Sequence, residues 1–212
     1  MSILYLHGFA SGPTSRKARF FAERLEAKGA SVQIPDLAEG NFSRLTISRQ
    51  LQLIEELTGN ARQVLIGSSL GGYLAALYAA RHASVEKVIL LAPAFGFYQL
   101  WARALGPEKH AQWARAGTID VFHYGEGRQA PLGYQFLEDA KQYEPFPNVQ
   151  QPALLMHGNQ DSVVPVEQSL EFVRRHPSAR LCRYESGHEL TNVLGSMWLE
   201  VETFLLGGSD VG

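Results

Sequence analysis

The 212-residue chain has one cysteine, Cys182, so no disulfide can form within it. A lone thiol fits a reducing compartment. Cys182 sits between Leu181 and Arg183 in a strand-like alternation, which makes it a buried structural thiol rather than a nucleophile. Charge of one sign is also scarce. The formal net charge is −2, and the cluster Arg16, Lys17, Arg19 is short enough to be one solvated helix face. This excludes the basic footprint of a nucleic-acid-binding protein. No apolar run reaches the length of a membrane span. The N-terminus enters Ile3-Leu4-Tyr5-Leu6 directly, without the basic region and long apolar stretch of a signal peptide. The expectation is a cytoplasmic protein with no nucleic-acid or membrane partner. Nothing in the residues sets an oligomeric state. No His, Asp and Glu group has metal-ligand spacing, so no metal is expected.

What the chain does have is a rhythm of short apolar runs and helical patterns. Ile3–Leu6, Val32–Ile34, Val64–Ile66, Val85–Leu91, Ala153–Met156 and Arg180–Tyr184 read as six strands. Ala18, Phe21, Ala22 and Leu25 place a helix with Ser15 or Thr14 as N-cap and Gly29 as stop. Ile47, Leu51, Ile54 and Leu57 place a second, ending near Gly59, and Val166–Arg175 and Met197–Leu206 two later ones. Continuous apolar strands separated by helices predict a mostly parallel sheet covered on both faces, an α/β fold in a single domain. The tail Gly207–Gly212 is expected to fray.

Residues 95–150 break the rhythm, because a parallel crossover needs only about a dozen residues. The segment holds eleven of the chain's 22 aromatic residues. Aromatic density argues against disorder. The segment therefore reads as a cap or lid insertion, with Phe95, Phe97 and Trp101 as candidate substrate-pocket residues. Packing the insert onto the sheet is the other role open to these rings.

Gly67-Ser68-Ser69-Leu70-Gly71 follows the strand Val64–Ile66 and leads into the helical run Tyr73–Ala80. A G-x-S-x-G sequence on a sharp strand-to-helix turn exposes the serine hydroxyl at the sheet edge. Ser69 is thus a candidate nucleophile, although a Gly/Ser loop without chemistry has the same composition. A serine needs a base, and the base needs an orienting acid. Asp161 follows the strand Ala153–Met156, and His188 follows Arg180–Tyr184. All three then fall at the carboxyl edge of one parallel sheet, where open α/β sheets bind ligands. Asp36, Asp120 and Asp139 are weaker candidates for the acid. Backbone N–H groups must also hold a developing oxyanion. Leu70 N–H follows the nucleophile, and Phe9 N–H lies in the loop after the first strand, where Gly8 lets the backbone turn close. His7 reads as a structural hydrogen-bonding residue.

With Leu6-His7-Gly8-Phe9, Gly67–Gly72, His157-Gly158-Asn159-Gln160-Asp161 and Ser186-Gly187-His188 in these places, the chain resembles the α/β-hydrolase superfamily over nearly its whole length. It looks most like compact YqiA-type bacterial esterases and is similar to small abhydrolase thioesterases. The resemblance implies hydrolysis of a small-molecule carboxylic ester or thioester without a cofactor, through Ser69, Asp161 and His188. The insert is longer than in the most compact members, so their substrate range does not carry over. A non-catalytic ligand-binding protein on a hydrolase fold remains a different reading. A peptidase, C–C hydrolase or acyltransferase would use the same three residues. If an imidazole is the base, activity is expected to fall below a pH of about 6 to 7, measured as a pH–rate profile.

Overall fold

A computed structural model describes residues 1–207. Beyond Gly207, the tail expected to fray lies outside the described residues. In chain order the elements are β1 (Ser2–Leu6), α1 (Arg16–Ala27), β2 (Ser31–Gln33), α2 (Ile47–Thr58), β3 (Gln63–Ser68), α3 (Leu70–Ala79) and β4 (Val85–Leu91). The insert follows as α4 (Phe97–Ala116), β5 (Thr118–His123), β6 (Arg128–Gly133) and α5 (Gln135–Ala140). The chain closes with β7 (Ala153–Gly158), α6 (Glu167–Arg175), β8 (Ala179–Tyr184) and α7 (Leu194–Leu206).

The six strands expected from the sequence form one parallel sheet in the order β2-β1-β3-β4-β7-β8. Side chains alternate across it. Leu4, Leu6, Leu65, Val88, Leu90 and Leu155 join one core with α2, α3 and α6. Ile3, Tyr5, Val64, Ile66, Ile89, Leu91, Leu154 and Met156 join a second core with α1 and α7. Both faces are dry, which is why these strands read as unbroken apolar runs. Helix α3 is buried along its length and shows no polar face at all. It packs against β3, β4 and β1 and is the central helix of the molecule.

Helix α1 starts where Ser15 accepts from the Ala18 amide, and Gly29 leaves it at φ +80°. Thr46 caps α2 by accepting from the Arg49 amide, and Gly59 ends it. Cys182 corrects one expectation: it is only half-buried, because β8 is the edge strand and its outer side is open. No helix among the described residues is long and apolar enough to cross a membrane.

The insert contains an antiparallel hairpin, β5 pairing with β6, which the sequence pattern did not reveal. Helix α4 is broken at Gly106 (φ 70°, ψ 165°) just before Pro107. Trp113, Leu132, Phe136 and Leu137 from the insert are buried in the same core as α2 and α3. Asp139 of α5 accepts from the Ser48 amide at 2.8 Å and so fills the first turn of α2. Tyr73 of α3 donates to the Glu144 carbonyl at 2.7 Å. The insert is therefore tied to the sheet layers at the C-terminal end of α5 and just beyond it.

The order of the strands reverses between β1 and β3, so the loops after them diverge and leave a crevice at the carboxyl edge. The turn after β3 is too tight for side chains: a Cβ on Gly67 would strike the Gly71 carbonyl, and one on Gly71 the Leu6 carbonyl. Replacing Gly71 by Ala is expected to cost at least about 2 kcal/mol in urea unfolding, because backbone rather than a flexible side chain must move. Wild-type stability in that variant would show the close packing to be dispensable.

Candidate active site

Ser69 is the N-cap of α3 and has φ 54°, ψ −117°. A non-glycine residue there costs about 1 to 3 kcal/mol and persists only if its surroundings hold it. They do so on both sides. The Ser69 amide donates to the Leu91 carbonyl at 2.8 Å, and its carbonyl accepts from Ala94 at 3.0 Å and Gly72 at 3.0 Å. The strained turn lifts the Ser69 hydroxyl out of the sheet.

The structure brings Ser69, His188 and Asp161 together. Ser69 Oγ–H donates to His188 Nε2 at 3.0 Å, and His188 Nδ1–H donates to Asp161 Oδ2 at 2.7 Å. The tautomer follows from the partner, since an ionised carboxylate can only accept. The Asp161 side chain is fully buried, and that of His188 retains 14 % exposure. The other carboxylate oxygen, Oδ1, accepts from the Val163 and Val164 amides, each at 2.8 Å. Burial alone would raise the Asp161 carboxyl, but donors from His157, His188 and Val164 outweigh it and hold the group well below the usual carboxylate range.

The loops carrying Asp161 and His188 are laced together. Asn159 N donates to the Tyr184 carbonyl at 2.8 Å and Gln160 N to the Ser186 carbonyl at 3.0 Å. The Asn159 side chain donates to Glu185 at 2.6 Å. The rejected acids have other duties: Asp36 closes its own turn by accepting from Ala38 and Gly40, and Asp139 caps α2. His7 also has a structural task, as Leu37 N donates to its Nε2 at 3.2 Å while its Nδ1–H donates to the Gly8 carbonyl.

The loop after β1 lies beside Ser69, with an added Gly8 Cβ standing 3.4 Å from Ser69 Cβ. Among the described residues, neither the Phe9 nor the Leu70 amide donates to a protein acceptor. Leu70 N–H is a first-turn helix donor with no partner in its own helix. The Phe9 ring enters an aromatic cluster, 5.0 Å from Trp101, 5.5 Å from Phe136, 5.6 Å from Phe42 and 6.2 Å from Phe97. Phe95 is placed differently from Phe97 and Trp101. Its ring is fully buried and stacks on Phe172 at 4.5 Å, where it props the start of the insert.

The hairpin tip reaches the same loop, with Gly125 N donating to the Ala10 carbonyl at 3.3 Å. A cavity of about 10 Å³, roughly one water, lies among His7, Phe9, Leu37, Phe42, Leu70 and His123. A wider hollow of about 500 Å³ near Ser43, Thr118 and Gln135 includes none of Ser69, Asp161 and His188.

One residue beside Asp161 was given no role by the sequence. His157 Nε2 stands 3.2 Å from Asp161 Oδ2. The signal available was a polar ring ending an otherwise apolar strand, four residues before the acid.

A parallel sheet in this order, flanked on both faces and carrying a strained serine turn after β3, defines a member of the α/β-hydrolase superfamily. Within it the chain belongs to UPF0227, described as "Uncharacterised protein family (UPF0227)", whose model matches residues 2–204. The mouse (Mus musculus) protein named palmitoyl-protein thioesterase ABHD10, mitochondrial, is 28% identical over 191 residues. That match covers 82% of this chain and 63% of the relative, so the chain spans under two thirds of its length. The solved structure of mouse alpha/beta hydrolase domain-containing protein 10 has a TM-score of 0.77 at 22% identity, covering 96% of this chain and 90% of that one. Est1E from Butyrivibrio proteoclasticus, solved with ferulic acid bound, has a TM-score of 0.77 at 21% identity, covering 97% and 88%.

A carboxyl held below its ordinary range contributes stability that is present above a pH of about 4 and lost as pH falls through its folded-state value. Wild type should therefore exceed Asp161→Asn in urea stability at neutral pH. The gap should shrink as pH drops below about 4. A gap independent of pH would place the loss in geometry rather than charge.

Proposed function

We propose that the chain is a serine hydrolase of carboxylic esters or thioesters. The observation that supports it most is the unbroken line from Ser69 Oγ through both nitrogens of His188 to a buried Asp161 carboxylate. In this reading Ser69 Oγ attacks the substrate carbonyl carbon while His188 Nε2 takes the hydroxyl proton. Asp161 keeps the imidazole in the tautomer that can accept and balances the imidazolium that forms. Negative charge develops on the carbonyl oxygen, and the Leu70 and Phe9 amides are the donors assigned to it. Such preorganised donors contribute roughly 3 to 4 kcal/mol each in acyl-transfer chemistry. The intermediate collapses, His188 gives its proton to the departing alkoxide or thiolate, and an acyl group remains on Ser69. Water, activated by His188, then releases the acid.

Residues 95–150 serve as the cap in this reading. Phe97 and Trp101 stand around Phe9, so the ring beside the proposed oxyanion donor takes its position from the insert. The proposed acyl side of the crevice is thus walled by aromatic rings, which favours short or aromatic acyl groups. Thioester cleavage is included because the mouse relative is named a thioesterase, and ester cleavage because the same attack serves both leaving groups.

The test is covalent labelling with a fluorophosphonate probe. Wild type should be labelled, and Ser69→Ala and His188→Ala should not, with folding of each variant checked by circular dichroism. An unlabelled, folded wild type would sink the proposal. A panel of p-nitrophenyl esters and acyl-CoA thioesters should show turnover that falls as the acyl chain lengthens. A preference for long chains would mean that the aromatic wall opens in solution.

A further inference from the structure

We propose that His157 is a positioning residue, which holds the Asp161 carboxylate in register with His188 through a relay of hydrogen bonds that begins at Ser169. The inference rests on the roles assigned above to Ser69, Asp161 and His188. His157 lies near the end of β7, and its ring is wholly buried. A polar ring at such a place costs free energy unless both nitrogens are satisfied. Both are. Its Nε2 is 2.9 Å from the Val164 carbonyl, and its Nδ1 is 2.7 Å from Ser169 Oγ. A carbonyl can only accept, so Nε2 carries hydrogen. Nδ1 is then the acceptor, and the Ser169 hydroxyl, itself fully buried, is the donor.

The direction of every bond follows. Ser169 donates to His157, and His157 presents its Nε2–H edge to the Val164 carbonyl and to Asp161 Oδ2, the oxygen that also takes the His188 proton. Val164 is held at both ends of its residue. Its carbonyl accepts from His157, and its amide donates to Asp161 Oδ1. The carboxylate is thereby held on both oxygens, Oδ1 by the Val163 and Val164 amides and Oδ2 by His188, with the His157 edge 3.2 Å from Oδ2. Without His157 the amides still hold Oδ1, but Oδ2 is free to swing away from His188. Beyond His157, two charged or titratable groups face Asp161, Lys17 on α1 and His188 after β8, and Glu189 in turn faces Lys17. The Lys17 ammonium is itself lowered by burial, with Glu189 and Asp161 acting against that. Ser169 reaches the relay from α6.

The test uses full-length protein and three variants. His157→Leu removes both polar contacts. His157→Gln keeps an N–H donor at the depth of Nε2. Ser169→Ala cuts the first link alone. Each is assayed for kcat and KM on an activated ester across pH, for its rate of fluorophosphonate labelling, and for the low-field proton NMR resonance of His188 Nδ1–H. His157→Leu should lose roughly 10- to 100-fold in kcat with KM changed by less than about twofold, since misplacing a positioned group by an ångström costs on that order. Its low-field resonance should shift or vanish, and the acidic limb of its pH profile should move. His157→Gln should recover most of the rate and the resonance, and Ser169→Ala should fall between the two. Wild-type kcat and resonance in His157→Leu would overturn the proposal. So would equal loss in the Leu and Gln variants with the resonance unmoved, which would make His157 a packing residue only. If His157→Leu does not fold, the Gln and Ala variants decide, and an unshifted resonance in Ser169→Ala overturns the relay. The NMR readout needs no substrate. An unlabelled wild type would therefore sink the hydrolase reading, while the resonance would still report on the His157 clamp.

Discussion

The hydrogen bond between His188 Nδ1 and Asp161 Oδ2 is the interaction around which the rest of the site is arranged. It joins two loops that leave neighbouring strands, β7 and β8, at the same edge of the sheet. It requires a carboxylate to stay ionised with no exposure to water, and an isolated buried charge is prohibitively costly. The cost is offset locally: the Val163 and Val164 amides and two imidazoles surround the carboxylate. A site built this way tolerates little displacement, because each donor is bound to a particular stretch of backbone. The sheet supplies that backbone, and the laced loops after β7 and β8 keep it in place.

Strain enters on the opposite side of the imidazole. Ser69 sits at positive φ because the chain must turn from β3 into α3 within a single residue. Hydrogen bonds from the C-terminal end of β4 and the residues just after it hold the turn, and glycines on either side let it press against β1. The loop after β1 then lies against the serine, and its Phe9 ring takes up the space under the insert. The insert is thus part of the main core as well as neighbour to the site. Its aromatic residues divide the two duties: Phe95 and Trp113 are buried structural rings, while Trp101 is partly open beside Phe9.

Much of this was legible in the residues. The six strands and their parallel arrangement follow from apolar runs that only a doubly covered sheet can bury. The cap at Ser15 and the stops at Gly29 and Gly59 follow from backbone groups that must find partners, whereas the Thr46 cap emerged only in the structure. Ser69, Asp161 and His188 stood out because each follows a strand. The hairpin β5–β6 did not stand out. Most of β5 is exposed or half-exposed, β6 contains Pro131, and no long apolar run marks either strand. Their pairing is a property of two segments together. His157 was visible in the run after Ala153–Met156, but nothing in the residues gave it a role, because its partners Val164 and Ser169 meet it only in the fold.

By itself the sequence determined the layered α/β architecture, the serine turn and the order of Ser69, Asp161 and His188 at successive strand ends. These depend on local periodicity and on short-range turn chemistry. Only the tertiary structure decided which atoms meet: Ser69 and His188 are far apart along the chain, yet their side chains stand 3.0 Å apart. It also decided that a second histidine stands 3.2 Å from Asp161 Oδ2 and that the insert presses on Phe9. Such contacts arise when strands take their places in the sheet and bring loops from distant segments to one edge. No local pattern encodes a distance of that kind.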